Sequence, residues 1–159
     1  MKKYIIICSV AAVFAACNGG AGGNQSNDQT QPSSSTDQTS ANPSYDPNRG
    51  EGKFTHVEVS PNLNAAMADA GNKVYSVKCS ACHKLTNEKL VGPGWQGVTQ
   101  RHTAEWIMNF ETNTDDMITK DPKAQAMLEI CLVRMPNQNL SDDDARSLYE
   151  FMRKNDGVK

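Results

Sequence analysis

The chain has 159 residues, with 16 Lys and Arg against 18 Asp and Glu, a formal net charge of −2, and five cysteines. That length allows one ordinary domain with extensions. The near-neutral balance lacks the basic footprint of a nucleic-acid binder.

In chain order, Lys2 and Lys3 precede a run from Tyr4 to Ala16 that is almost wholly apolar or small. The run is too short for a permanent membrane span and has the form of an export signal. It ends Phe14-Ala15-Ala16-Cys17. Small residues before a Cys at this place resemble a bacterial lipobox, with Phe14 standing where Leu is usual. The resemblance implies removal of residues 1–16 and lipid on the sulfur and amine of Cys17. The alternative is an ordinary signal peptide cut nearby, with Cys17 incidental. From Asn18 to Gly50 the only apolar residues are Ala21, Ala41 and Tyr45. So little apolar surface cannot offset ordering entropy, which predicts that residues 17–60 form a disordered tether. Its reach would be on the order of 35 Å.

Residues 61–159 remain for one small domain with 12 Lys and Arg and 13 Asp and Glu. Leu63, Met67, Ala70, Val74 and Val77 recur at helical spacing and predict a first helix with these residues facing inward. It runs into Cys79-Ser80-Ala81-Cys82-His83, a Cys-x-x-Cys-His run that is the attachment signature of c-type haem. The spacing has a mechanical reason. Two thiols on one turn reach the vinyl groups on one porphyrin edge, and the next imidazole reaches the iron. Random placement of these residue types would give about 0.003 matches in such a chain. A zinc site would need more ligands, and only Cys131, His56 and His102 remain, with no repeated spacing. Next comes Val91-Gly92-Pro93-Gly94-Trp95, an irregular loop. Thr103 can cap a helix carrying Trp106, Ile107 and Phe110. Asp121-Pro122 reads as the start of another, with Ala124, Met127, Leu128 and Cys131 as its inner stripe. Met117, beside Asp115 and Asp116, reads as part of a polar loop between them. Ser141 can cap the last helix, whose apolar face is Leu148, Phe151 and Met152. No convincing strand appears, though Val57 and Val59 could form a short extended piece.

This order of helix, haem motif, Gly-Pro loop, helices, Met135-Pro136 and terminal helix resembles the small monohaem cytochromes c. The resemblance covers about Leu63 to Lys154 and includes Gly71-x-x-x-Tyr75. It implies an all-α cytochrome c fold around one covalent haem c, with Cys79 and Cys82 as the attachment points and His83 as an axial ligand. It implies that the carbonyl region of Gly92-Pro93 accepts a hydrogen bond from the His83 ring and that Trp95 packs on the haem. Gly71 and Phe151 match the positions where the first and last helices cross. Met135 matches the family's distal methionine, and Pro136 after it cannot continue a helix. Met117 remains the second candidate for that role. Met67, Met127 and Met152 lie on helical stripes and read as core. Arg101 and Trp106 are candidates to reach haem propionates, and Cys131 reads as a buried, inert thiol.

The function expected from these features is a lipid-anchored electron carrier of a bacterial cell envelope. Its haem domain would lie on the periplasmic side and exchange single electrons with redox proteins of a respiratory chain, with no catalytic residues. The competing readings are a haem enzyme or gas sensor with an open or displaceable sixth site, and a fixed haem subunit of a larger complex. Met135 decides between the first two.

Overall fold

The computed structural model describes residues 45–159. The expected signal segment, Cys17 and the tether as far as residue 44 lie outside the described residues.

Six α-helices and one π-helical turn supply the regular structure, and the described residues hold no strand. Helix α1, Ala65–Val74, starts at Asn64, whose side-chain oxygen accepts the Met67 N–H at 3.1 Å. It then widens into a π-helical turn, Tyr75–Cys79, where the Ser80 N–H reaches back five residues to the Tyr75 carbonyl. One extra residue in the turn rotates everything after it. The spacing read from the sequence therefore fails here. Val77, inside the turn, is 83% exposed while Cys79 is buried; before the turn Ala70 also faces water, and the inner face of α1 is carried by Ala68 and Gly71. The short helix α2, Val98–Arg101, is capped from far along the chain. Asp156 accepts from Gly97 N at 2.6 Å and Thr99 N at 2.9 Å. Helix α3, Ala104–Thr112, has Thr103 as its cap. Helix α4, Thr114–Lys120, occupies the stretch read as a polar loop, and its Met117 is fully buried. Asp115 and Asp116 sit in its first turn, where the helix dipole favours them. Helix α5, Pro122–Cys131, starts at Asp121, and helix α6, Asp142–Asn155, at Ser141, each with the cap side chain accepting a backbone N–H of the first turn.

The principal packing is α1 across α6. Gly71 makes it possible, because a Cβ there would collide with the Ser147 carbonyl and the Leu148 backbone. Phe151, one turn further on, packs instead on Tyr75, with ring centroids 5.3 Å apart. Leu148, Phe151 and Met152 join Ile107 and Met108 of α3 and Met117 of α4 in the core.

The expectation of a disordered tether as far as residue 60 is corrected for residues 45–60. This segment is strapped to the helices through its backbone. Asn109 brackets it, accepting the Phe54 N–H at 2.9 Å and donating to the Arg49 and Phe54 carbonyls. Glu105 accepts the Val57 N–H at 2.8 Å, and Arg153 donates to the Ser60 carbonyl at 2.6 Å. The Tyr45 hydroxyl donates to Asp121 at 2.5 Å. Gly50, in the left-handed region at φ +64°, packs so tightly on Met117 that no side chain would fit. Polar composition hid this because the anchors are mainly the helices' side chains holding the strap's backbone, with Phe54 and Val57 alone among its apolar side chains packing on the core.

A chain beginning at Pro61 should therefore fold less stably. With each net hydrogen bond worth about 1 kcal/mol and the released strap regaining entropy, the loss should be on the order of 3 kcal/mol. That is a fall of roughly 10–20 °C in melting temperature for a domain of this size. A calorimetric scan showing an unchanged midpoint would mean the strap contributes nothing.

Candidate functional site

The π-helical turn delivers Cys79 into the core and leaves Cys82 half-buried one turn on. His83 follows, 9% exposed. Four contacts fix it. The Tyr75 hydroxyl donates to the His83 carbonyl at 2.8 Å. The Val91 and Gly92 N–H groups both donate to the Cys82 carbonyl, folding the loop back onto the motif. Trp95 packs on the imidazole at 5.4 Å between centroids, and on Tyr75 at 5.1 Å. Finally, His83 Nδ1 lies 2.9 Å from the Pro93 carbonyl oxygen. A carbonyl can only accept, so Nδ1 carries the proton and Nε2 keeps its lone pair. Burial lowers the His83 pKa, against the opposing pull of the Pro93 hydrogen bond, and favours this neutral form. Gly92 is needed here because a Cβ would strike the His83 ring.

His83 opens onto a cavity of about 420 Å³, within the usual range of small-molecule and cofactor sites. Cys82, Gly92, Pro93 and Trp95 line it beside His83, and Met135 lines it too. The inner stripe of α5 (Ala124, Met127, Leu128 and Cys131) forms further wall, and Met152 of α6 adds more. Three methionines thus border the cavity, two on helices and Met135 in the segment after α5. Met117 is elsewhere: its sulfur accepts the Glu51 N–H at 3.0 Å in the core. His56 is also remote, exposed and paired with Glu58 at 2.7 Å.

The Met135 segment is held by long-range bonds. Lys78 donates to the Gln138 carbonyl and Lys89 to the Ile130 carbonyl, each at 2.8 Å. Arg134 pairs with Asp115 at 3.0 Å. The chain leaves α5 through Leu132 in the left-handed conformation at φ 59°.

Three sequence-based expectations change. Trp106 is not free to donate into the cavity, because its ring N–H is bonded to Asp121 at 3.0 Å. Cys131 is half-exposed rather than buried and lies on the cavity wall. Arg101 spends its guanidinium on the Gln96 carbonyl at 2.6 Å and the Gly94 carbonyl at 3.3 Å. Two further residues line the cavity, and of these Glu111 was not expected from the sequence. His102 stacks on Trp106 at 4.1 Å with Nδ1 unpartnered, and burial lowers its pKa to about 4. Glu111 is buried with neither carboxyl oxygen bonded.

These residues fit a covalently attached haem. Two free thiols stand at thioether spacing beside a neutral imidazole, and a largely apolar cavity bordered by thioethers lies before it. Burial pushes the Cys79 thiol up to about 12, so it is an uncharged S–H. Among the described residues no three His, Cys, Asp or Glu side chains converge on a bare metal site.

Comparison with known proteins agrees with the geometry. The family model for cytochrome c matches residues 68–156. A solved cytochrome c from Rhodothermus marinus is 30% identical, with a TM-score of 0.64 over 66% of this chain and 90% of that one. An engineered cytochrome c from the same organism, bound to a carbene intermediate, is 28% identical with a TM-score of 0.61 over the same shares. A curated relative, the c-type cytochrome cy of Rhodobacter capsulatus, is 37% identical over 59 residues, which are 37% of this chain. The match spans less than a third of that relative's length, 29%.

Gly92→Ala tests the seating of the imidazole. The yield of haem-loaded protein should fall several-fold, with a disturbed visible spectrum in what matures. An unchanged yield and spectrum would mean that the loop yields to the added methyl.

Proposed function

The chain belongs to the cytochrome c family, with one covalent haem c as its cofactor and haem-based electron transfer as its activity, and from that premise we propose a membrane-tethered single-electron carrier. Cys79 and Cys82 hold the haem. His83 ligates the iron through Nε2, with the Pro93 carbonyl fixing the ring, and Met135 supplies the sixth ligand. The observation that carries this reading is that one cavity is lined by both His83, its Nδ1 committed, and Met135. The bound haem would supply an iron that cycles between ferric and ferrous states. A soft thioether from Met135 favours the ferrous state and raises the reduction potential relative to a second imidazole. Were His83 and Met135 both to hold the iron, no position on it would remain for a substrate, which separates this reading from an enzyme or gas sensor.

The partners would be redox proteins of a respiratory chain. The domain would sit on the periplasmic side of a bacterial membrane, held by lipid on Cys17. The short apolar run ending in two Ala before Cys17 supports the anchor.

Met135→Ala tests the ligand. The wild-type ferric protein should be low-spin with a sulfur-to-iron charge-transfer band. The variant should lose that band and bind carbon monoxide when ferrous. Its potential should drop by on the order of 100 mV, a fraction of the ~0.8 V that axial ligands command. Met117→Leu should change none of these. A wild-type ferrous protein that binds carbon monoxide readily would put the sensor or enzyme reading first.

Cys17→Ser tests the anchor. The variant should appear in the soluble fraction of the envelope with its haem spectrum unaltered. Mass analysis of membrane-derived wild type should find acyl chains on a mature chain that begins at Cys17. An unmodified, soluble mature wild type would refute lipidation.

A further inference from the structure

Glu111 lies in the last turn of α3, 4% exposed, on the wall of the cavity that His83 and Met135 share. Neither carboxyl oxygen has a hydrogen-bond partner. The other buried acids are fully engaged. Glu150 is held by Arg146 at 2.6 Å and Arg153 at 2.9 Å. Asp121 accepts from Tyr45, Trp106 and Ala124. An unpaired buried carboxylate is among the costliest groups a fold can carry. Burial alone pushes the Glu111 pKa well above the ordinary carboxylate range.

The charged and titratable groups around it offer no counter-charge in contact. From the attachment segment come Cys79, whose thiol feels Glu111, with Cys82 and His83. Across the cavity stand Arg101 and His102 of the α2 end, Cys131 at the end of α5 and Arg134 beyond it. Arg101 is bonded to loop carbonyls and Arg134 to Asp115. On α6, which packs against α3, Arg146 and Arg153 are taken by Glu150. In α4, Asp116 pairs with Lys120 at the surface.

We propose that Glu111 is a redox-linked proton acceptor, taking one proton from solvent as the haem iron gains an electron and releasing it when the electron leaves. This rests on the reading that the haem fills this cavity. The electron comes from the donor protein, the proton forms one O–H bond on the Glu111 carboxyl, and the charge of the site is unchanged overall. The ferric state carries one more positive charge than the ferrous. In a cavity of low dielectric that charge favours the carboxylate, and its removal favours the acid. Glu111 therefore has a lower pKa in the ferric protein than in the ferrous. Between those two values the reduction potential falls as pH rises, by about 59 mV per unit for one proton per electron. Outside them Glu111 contributes no slope.

The test uses full-length holoprotein, wild type and Glu111→Gln, titrated spectroelectrochemically from about pH 5 to about pH 10, across the range a buried carboxyl spans. The wild type should show a sloping segment that the variant lacks. A slope common to both comes from other groups, the propionates or His102. Redox-difference infrared spectra should show a carboxylic C=O band appearing on reduction in the wild type and absent in the variant. If Glu111→Gln matures poorly, Glu111→Met takes its place. Identical potential–pH profiles in wild type and variant, or no carboxyl band in the wild type, would overturn the proposal. So would a slope that survives Glu111→Gln and vanishes in His102→Gln, since His102 would then be the titrating group. Failure of the underlying reading is distinguishable: a protein without covalent haem sinks both, whereas a haem-loaded protein with these negative results sinks this one alone.

Discussion

The hydrogen bond between His83 Nδ1 and the Pro93 carbonyl is the contact on which the rest of the site depends. It forms only if the nine residues between them return the chain to its starting point. Two N–H groups donated to the Cys82 carbonyl and one from Trp95 to the Lys84 carbonyl achieve that return. Gly92 is the closest approach of loop to ring, and glycine is the residue that allows it. The loop is irregular, yet its backbone groups are spent on the motif, which is how a segment without a helix or strand holds an imidazole rigidly. Were this imidazole to hold the iron, its fixed second nitrogen would keep it from rotating away as the iron changed oxidation state, which would keep reorganisation small.

A second constraint is the frame that carries this loop. Gly71 lets α1 close onto α6, and Tyr75, one turn on, reaches both the His83 carbonyl and the Phe151 ring. Asp121 performs the corresponding task on the other side of the core. One carboxylate starts α5, holds Trp106 and receives Tyr45 of the strap. Tyr45 itself is held protonated by its burial and by that carboxylate, which raises its pKa. Aromatic residues stack in a line from His102 through Trp106 to Phe110 along the cavity wall, so fixing Trp106 fixes the wall.

What the sequence made legible was local. The attachment motif, the Gly92-Pro93 turn and the caps Thr103, Asp121 and Ser141 each act within a few residues, and single residues announce them. What it hid was set by distance. Helix α2 has Gly97 at its start and takes its cap from Asp156. Val77 falls outside because the π-helical turn breaks the 3.6-residue helical period. Residues 45–60 read as solvated because the groups that hold them, Glu105, Asn109, Asp121 and Arg153, belong to helices yet to come. Glu111 gave no signal at all: an acid near a helix end looks like a solvated residue until its burial is known.

The two walls of the cavity are held by different physics. On the His83 side the bonds are short-range and mostly buried. On the Met135 side they are long-range and exposed, from Lys78, Lys89 and Arg134 to partners across the chain. Exposed pairs of this kind contribute little each. The exit from α5 also runs through Leu132 in a left-handed conformation that costs a non-glycine residue roughly 1–2 kcal/mol. Local opening therefore begins on the Met135 side, where few apolar contacts and strained backbone coincide. For a carrier this asymmetry is tolerable only because a thioether ligand on the iron would itself close that wall. The iron–sulfur bond would then be structural as well as electronic, supplying from the cofactor the cohesion that the chain between α5 and α6 lacks.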